Sequence, residues 1–219
     1  QLRGWWKFDE TSGAVAADAS PYGHAGILTN FPADGTPWVA GRAGGALQFR
    51  GATSADYVRV AEYLVPRGPL TVSAWAWAEA RPTSASIVKT WHNPLFFSLG
   101  LDSASGRLSN YLNPGTSQVF VRDLMAFPLG SWQHTAFTAD GSTLRVFRNG
   151  ESVGSVKYTQ NVGLPLLSQL GIGAKLNSTG SAADAAAPGY WLGKLDDVAV
   201  WARALGAGEI NTIYTGGLN

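Results

Sequence analysis

The sequence of 219 residues contains no cysteine, which rules out a disulfide framework, a thiolate metal site and a cysteine nucleophile. Charge is also scarce, because only 14% of the residues are Asp, Glu, Lys or Arg, against about 25% in an average globular protein. Sixteen basic and fifteen acidic side chains give a net charge of +1, so we expect no binding to nucleic acid. No apolar run approaches the roughly 18 residues of a membrane-spanning helix, and we predict no membrane insertion.

Short aromatic and β-branched segments dominate what is present, and they are separated by many of the 27 glycines and 11 prolines. Such segments with period-two alternation are the signal of β-strands. The clearest is LTVSAWAWAEA at 70–80, in which Trp75 and Trp77 share one face while Val72 and Ala74 share the other. Because both faces are largely apolar, we predict that this strand is buried between layers.

Turn signals divide the rest of the chain into hairpins. The segment 96–113 reads as one hairpin, and the segment 132–158 contains an Asp-Gly turn at 140–141 and an Asn-Gly turn at 149–150. The one convincing helix is short and covers 206–217. Many strands without alternating helices predict an all-β fold, a two-sheet antiparallel β-sandwich (jelly roll) with a short C-terminal helix.

No linker or repeat divides the sequence, so residues 1–219 are predicted to form a single domain. Residues 177–189 are rich in small and polar residues, and we predict that they form a surface loop between strands. The chain begins at Gln1 without Met or a signal-like segment, and we therefore expect a piece excised from a larger multidomain protein, or a processed form.

Several blocks together resemble the concanavalin A-like, laminin-G-type jelly rolls common in bacterial secreted proteins. They occur in the order of that family and are WWKFDETSGAVAADASPYGHAGIL (5–28), WVAGRAGGALQF (38–49), DYVRV (56–60), LTVSAWAW (70–77), WQHTAFTADGSTLRVFRNGESV (132–153) and GKLDDVAVWARALGAGEINTIYTGG (193–217). The resemblance implies a sandwich with one concave face that serves as a carbohydrate-binding or adhesion module. The absence of Cys near the end of the chain favours a bacterial source.

The acidic residues do not form a recognisable catalytic pair. A retaining glycosidase places two carboxylates about 5–5.5 Å apart, and on a strand this requires acids at i and i+2 or i+4. None of the five Glu residues has such a partner, and the adjacent Asp196 and Asp197 are expected to point to opposite faces. The one Gly-x-Ser-x-Gly match, GESVG at 150–154, follows the Asn-Gly turn of a predicted hairpin and not a strand-to-helix elbow. We therefore predict that the domain is not an enzyme.

The family resemblance implies a structural calcium ion that ties the two ends of the chain together. Asp18 opens a tight turn, and by alternation Asp196 shares the inward-pointing face of the last strand, where a buried carboxylate needs a counter-charge or several donors. We predict that the metal ligands are Asp18, backbone oxygens near Gly23 and His24, and Asp196. The alternative is that Asp18 caps its turn and Asp196 accepts backbone amides without a metal.

The aromatic residues must be divided between core and ligand-binding surface. Alternation with small or apolar neighbours assigns to the core Trp6, Phe8, Phe49, Trp75, Trp132, Phe137 and Trp201. His134 is likewise predicted to be packed within its strand. Trp91 differs, because it lies in a polar loop that ends at a proline and is expected either to be exposed or to fold back over the sandwich edge.

Sugars present flat C–H faces ringed by hydroxyls, so an exposed ring with amide and guanidinium donors is the pattern of a glycan site. In the resembling fold the Trp91 loop rims the concave face. The predicted ligand-binding residues are Trp91, His92, Asn93, Tyr111, Asn113 and Arg122. Trp38 and Tyr190 are second-tier candidates.

The leading hypothesis is a non-catalytic carbohydrate-binding module that brings an attached polysaccharide-degrading catalytic domain to its glycan. The expected partners are a polysaccharide or oligosaccharide and that catalytic domain in the same chain. The domain itself is expected to be a monomer that is secreted or displayed at a bacterial cell surface. One alternative is an adhesion or protein-interaction module of a cell-surface protein. Another is a polysaccharide lyase or glycoside hydrolase with a site near His92 and Tyr111.

Overall fold

The computed structural model of the protein describes residues 1–66, 68–90, 95–114, 117–159 and 167–218. The described residues form sixteen strands and one α-helix. The strands are β1 (Leu2–Trp6), β2 (Val15–Ala16), β3 (Gly26–Thr29), β4 (Trp38–Ala40), β5 (Gly45–Arg50), β6 (Tyr57–Leu64), β7 (Leu70–Ala78), β8 (Ser86–Thr90), β9 (Leu95–Leu101), β10 (Arg107–Pro114), β11 (Val119–Ala126), β12 (Trp132–Ala139), β13 (Thr143–Arg148), β14 (Glu151–Lys157), β15 (Leu167–Ile172) and β16 (Leu192–Trp201). The helix α1 spans Ala207–Gly216.

The strands pair antiparallel into two eight-stranded sheets, which we call sheet A and sheet B. Sheet A has the order β14-β13-β12-β7-β16-β5-β4, with β1 paired to β16. Sheet B has the order β11-β10-β9-β8-β15-β6-β3-β2. The hairpins predicted from the turn signals are confirmed, since β9–β10 and β12–β13–β14 are joined through the expected turns. The predicted two-sheet sandwich with a short C-terminal helix is therefore confirmed.

Alternation along the strands fills the space between the two sheets. In β7, Val72, Ala74 and Ala76 belong to the main core, while Trp75 and Trp77 point to the opposite, outer face of sheet A. Large side chains from both sheets are fully buried in this core, including Trp6, Phe49, Phe97, Phe137, Leu47 and Leu99. Each fully buried side chain of this size contributes about 1.5–3 kcal/mol through removal of apolar surface from water.

The helix α1 covers one end of the outer face of sheet A. Trp201 and Phe147 on the sheet form a second apolar cluster with Ile210 of the helix. The entry to the helix is fixed by Glu209, whose carboxylate accepts a hydrogen bond from the Gly206 N–H at 2.8 Å. No helix of the described residues is long and apolar enough to cross a membrane.

Two predictions about buried residues need correction. Trp132 is not in the core, because its side chain lies on the outer face of sheet A and is partly exposed. Trp75 and Trp201 are buried, as expected, but on that same outer face rather than between the sheets. Alternation could not tell which of these residues lie between the sheets. A strand with apolar residues on both faces gives the same pattern whichever face meets the core.

A β-bulge in the last strand overturns the expected direction of Asp196. The register of β16 against β7 shifts between Asp196 and Ala199, and Asp197 adopts a left-handed conformation with φ of 48°. Leu195 and Val198 both face the core, so the bulge absorbs the extra residue between them. Asp196 lies directly opposite Trp75 and shares its outer face, not the inward face of Val198.

Candidate functional site

A row of directly paired residues crosses the outer face of sheet B and includes the predicted site residue Tyr111. Lys89 of β8 pairs with Ser98 of β9, Ser98 pairs with Tyr111 of β10, and Tyr111 pairs with Phe120 of β11. Residues directly opposite each other in antiparallel strands point to the same side of the sheet. The four side chains therefore form one continuous surface, which ends at an exposed ring because Phe120 is 51% exposed.

This row carries a cavity of about 180 Å³, which we call the Tyr111 pocket. The residues that line it are Ser84, Lys89, Ser98, Leu101, Asp102, Ser103, Tyr111 and Gln118. Its volume is below the roughly 300–1,000 Å³ of pockets for drug-sized ligands, so it fits a small group such as one ring of a larger ligand. The lining combines one aromatic ring with hydroxyl, amide, carboxylate and ammonium groups.

Phe120 and Arg122 lie next to Tyr111, which lines the pocket. The ring of Tyr111 stacks on that of Phe120, with centroids 5.6 Å apart and planes 24° apart. The guanidinium carbon of Arg122 lies 6.0 Å from the centroid of the Phe120 ring. Arg122 Nη1 lies 3.9 Å from Asp102 Oδ2. Tyr111 and Arg122 both lie beside Phe120, and their assignment as ligand-binding residues stays a prediction.

The two charged residues that line the pocket have perturbed pKa values. Burial alone would raise the pKa of Asp102, but hydrogen bonds from Ser105 and Ala104 outweigh burial and hold that pKa below its usual range. Burial lowers the pKa of Lys89 to about 8, with a smaller contribution from the charge of Lys175. The pocket therefore holds an anionic acceptor and a partly desolvated ammonium donor near neutral pH.

The remaining predicted ligand-binding residues have different outcomes. Asn113 lies two residues after Tyr111 on β10, so it shares the outer face of sheet B, and it is partly buried. Trp91, His92 and Asn93 lie outside the described residues, and their assignment to the site stays a prediction. The second-tier candidate Tyr190 packs on a small cluster at the edge of the sandwich.

The predicted calcium ligand Asp18 is already saturated with hydrogen bonds. Its Oδ1 accepts from the backbone N–H groups of Trp5 and Ser20, both at 2.8 Å. Its Oδ2 accepts from the Ser20 hydroxyl and the His24 N–H, also at 2.8 Å. The carbonyl oxygens of Gly23 and His24 accept hydrogen bonds as well. This arrangement satisfies Asp18 without a cation.

Asp196 differs, because one of its oxygens is left without a partner. Its Oδ2 accepts hydrogen bonds from the backbone N–H groups of Arg42 at 2.7 Å and Ala43 at 3.1 Å. Its Oδ1 is buried and has no hydrogen-bond partner among the described residues. Burial raises the pKa of Asp196 to about 7, and the charges of Asp197 and Asp9 add to this effect.

The unpartnered Oδ1 of Asp196 can be satisfied by a proton, which its raised pKa favours, or by a cation. Asp196 therefore fits the role of a calcium ligand, whereas both carboxylate oxygens of Asp18 already accept hydrogen bonds. Within the described residues no three His, Cys, Asp or Glu side chains form a group that could hold a metal ion. Calcium stays a prediction.

The raised pKa of Asp196 does not make it an accessible general acid. Its side chain is 0% exposed, so a glycosidic oxygen has no access to it. Asp197, beside it, accepts a hydrogen bond from Trp5 Nε1 at 2.8 Å and is also buried. Both carboxyl groups are therefore buried within the fold and do not face a surface that a substrate can reach.

Sequence reasoning missed several surface residues of both sheets. Strand register alone places Lys89 in the lining of the Tyr111 pocket and Phe120 beside Tyr111. Trp77 and Trp132 form a partly exposed pair on the outer face of sheet A. The alternation in LTVSAWAW placed Trp75 and Trp77 on one face correctly, but it could not show that this face is partly open to solvent.

These observations define the class of protein as a jelly-roll sandwich with a shallow polar-aromatic pocket on one sheet. The chain belongs to the concanavalin A-like lectin/glucanases superfamily, whose Laminin_G_3 family profile matches residues 51–211. The resemblance seen in the sequence blocks is thereby confirmed. No curated protein sequence matches the chain significantly.

Solved structures share the fold across nearly the whole chain. Domain 4 of AbnA, a GH43 extracellular arabinanase from Geobacillus stearothermophilus in complex with arabinotriose, is 20% identical with a TM-score of 0.77, and 98% of each chain is covered. The binding domain of Paraclostridial Mosquitocidal Protein 1 is 15% identical with a TM-score of 0.66, covering 97% of this chain and 51% of that one. A SAP-like pentraxin from Limulus polyphemus is 20% identical with a TM-score of 0.54, covering 80% and 78%. At these identities the likeness establishes the fold.

Proposed function

We propose that this domain is a non-catalytic carbohydrate-binding module that holds glycan in the Tyr111 pocket. The observation that carries the proposal is the pocket itself, which sets an aromatic ring beside hydroxyl, amide, carboxylate and ammonium groups. A sugar ring offers an apolar C–H face to Tyr111 and hydroxyls to Ser98, Asp102 and Lys89. The small volume of the pocket suits one sugar ring of a longer glycan, so the rest of the glycan would lie along the sheet.

The family and the fold neighbours support this proposal. The chain matches nearly all of an arabinanase domain whose structure contains arabinotriose, which makes arabinan a first probe. As a module, the domain would raise the local concentration of an attached polysaccharide-degrading catalytic domain on its substrate. Such a role belongs outside a bacterial cell, where polymeric glycans are met.

Affinity gel electrophoresis tests the proposal directly. Wild-type protein is run through gels containing linear arabinan, xylan, β-glucan or galactomannan, and at least one polymer should retard it. Tyr111→Ala should lower the association constant about tenfold, the loss expected when an aromatic anchor is truncated. Tyr111→Phe, which keeps the ring, should retain most of the affinity.

Arginine variants supply a matched control for the same experiment. Arg122→Ala removes the guanidinium beside Phe120 and should weaken retardation. Arg145→Ala removes a similarly exposed arginine that pairs with Asp140 on sheet A, and it should leave retardation unchanged. Retardation of wild type that none of the Tyr111 and Arg122 variants changes would refute this pocket as the site.

Two further measurements separate the proposal from its alternatives. Release of reducing ends or of unsaturated uronate absorbance by the isolated domain would establish a hydrolase or lyase instead. A protein-interaction role is favoured by one observation, because Leu124 and Met125 on the edge strand β11 are 79% and 65% exposed. That role moves ahead if no glycan retards the domain.

A further inference from the structure

A second row of paired residues crosses the outer face of sheet A, on the opposite side of the molecule from the Tyr111 pocket. Gln48 of β5 pairs with Lys194 of β16, Lys194 pairs with Trp77 of β7, and Trp77 pairs with Trp132 of β12. We call these four residues the tryptophan platform. Neighbours such as Leu47 point the other way into the core, so the platform faces outward.

The platform combines ring surface with hydrogen-bonding groups. The rings of Trp77 and Trp132 meet edge to face, with centroids 6.0 Å apart and planes 71° apart. The ammonium of Lys194 lies 5.4 Å from the centroid of Trp77. Gln48 Nε2 donates to Glu79 Oε1 at 3.0 Å, which fixes an amide and a carboxylate at the rim.

The position of the platform in the sheet shows why its exposure is informative. Strands β16, β7 and β12 lie in the interior of sheet A. The helix α1 covers their outer face from Trp201 as far as Trp75, on which Tyr214 packs. Beyond the helix, Trp77 and Trp132 each remain partly exposed. Two neighbouring indoles on interior strands, where β7 ends and β12 begins, leave apolar area in water that a ligand could bury.

We propose that the tryptophan platform is a second glycan-binding site, independent of the Tyr111 pocket. This inference rests on the proposed function, because it takes the ligand class from there. A sugar stacks its C–H face on Trp77 or Trp132 and directs hydroxyls to Lys194, Gln48 and Glu79. A protein partner fits less well, since charged residues are depleted from the buried centres of protein interfaces.

The two sites lie on opposite outer faces of the sandwich, whose sheets pack about 10 Å apart at the backbone. A short oligosaccharide therefore cannot occupy both at once. The domain would bind two glycan segments, and on a polymer this gives either avidity or cross-linking of two chains.

Indole resonances localise the binding event to individual residues. The chain has nine Trp, so a 1H–15N spectrum gives a small set of indole N–H peaks. Trp77→Phe and Trp132→Phe assign two of them by their disappearance. Titration with oligosaccharides of the polymer that retards wild type, beginning with arabinotriose, should shift both peaks, and it should shift them equally in Tyr111→Ala.

A binding assay on polymer gives the matched functional test. Trp77→Ala should lower the association constant of Tyr111→Ala for the retarding polymer by a further tenfold or so, the loss expected for one aromatic anchor. Lys194→Ala should weaken it, whereas Lys157→Ala on β14 should not. Trp77→Phe and a thermal melt of each variant guard against loss of folding as the cause.

Each outcome decides the inference. Peaks of Trp77 and Trp132 that stay fixed while other resonances move would overturn the second site. Shifts that disappear in Tyr111→Ala would also overturn it, because they would report one site acting at a distance. If no glycan in the panel binds wild type at all, the proposed function fails and the second site fails with it.

Discussion

The outer faces of the two sheets arise from the same alternating strands, yet they differ in chemistry. Sheet B presents small and polar residues around Tyr111, and these leave a recess of about 180 Å³. Sheet A presents large aromatic residues, of which α1 covers one end while Trp77 and Trp132 remain partly exposed. Side-chain size and the placement of one short helix therefore decide whether a sheet face becomes a pocket, a second core or a platform.

The comparison within sheet A predicts the largest effect on stability. Trp201→Ala should lower the free energy of unfolding by about 3–5 kcal/mol, because the buried ring packs against Ile210 of the helix. Trp132→Ala should cost only about 1 kcal/mol, since its ring is partly exposed and mainly contacts Trp77. Urea unfolding of both variants measures the difference. Equal losses would contradict the division into covered and open ends.

His134 on sheet A predicts its own contribution to the pH dependence of stability. The ring is 1% exposed between Trp75 and Tyr214, neither of its nitrogens has a partner among the described residues, and burial lowers its pKa to about 4 from 6.5. The unfolded chain therefore takes up the proton first as the pH falls. The contribution of His134 to the free energy of unfolding should be fully present above pH 6.5 and decrease towards pH 4, by up to about 3 kcal/mol. The raised pKa of Asp196 acts in the opposite direction over the same range, so the contribution of His134 is measured against a variant without the imidazole.

His134→Phe provides the control for that pH dependence, because it keeps the ring contacts and removes the titrating group. Between pH 7 and 4, urea unfolding should show that wild type loses up to about 3 kcal/mol relative to this variant. A decrease of the same size in both proteins would assign the pH dependence to other residues.

The buried carboxylates of the two faces differ in their expected role in calcium binding. Asp196 on sheet A has an unpartnered oxygen and a raised pKa, whereas Asp102 on sheet B is held by hydrogen bonds and has a lowered one. Calcium at 100 times its dissociation constant should stabilise wild type by about 2.7 kcal/mol, seen as a higher melting temperature. Asp196→Asn should lose this response and Asp102→Asn should keep it. If excess chelator leaves the melting temperature of wild type unchanged, calcium does not stabilise this protein.

The smallest effect is expected at the exposed edge of sheet B. Phe120→Ser removes the ring on which Tyr111 stacks and should weaken glycan binding about threefold, while the free energy of unfolding changes by about 0.5 kcal/mol or less. Leu124→Ser alters an even more exposed residue on the same strand and should change neither quantity. Equal weakening by both variants would point to the edge strand rather than to the ring.

The sequence by itself determined the architecture of this protein. Alternation, Asp-Gly and Asn-Gly turns and one amphipathic segment were enough to predict the strands, the hairpins and the helix, because these signals are local. The grouping of Tyr111 with Arg122 came from the family resemblance, and the structure places both beside Phe120.

Only the tertiary structure decided which apolar faces are buried and which buried charges are satisfied. Asp196 was assigned to the wrong face because a bulge at Asp197 shifts the alternation by one residue, and nothing in the sequence marks that bulge. Trp132 was assigned to the core because strand periodicity does not record where α1 ends. Burial depends on contacts between residues far apart in the chain, and those contacts exist only after the sheets and the helix have packed.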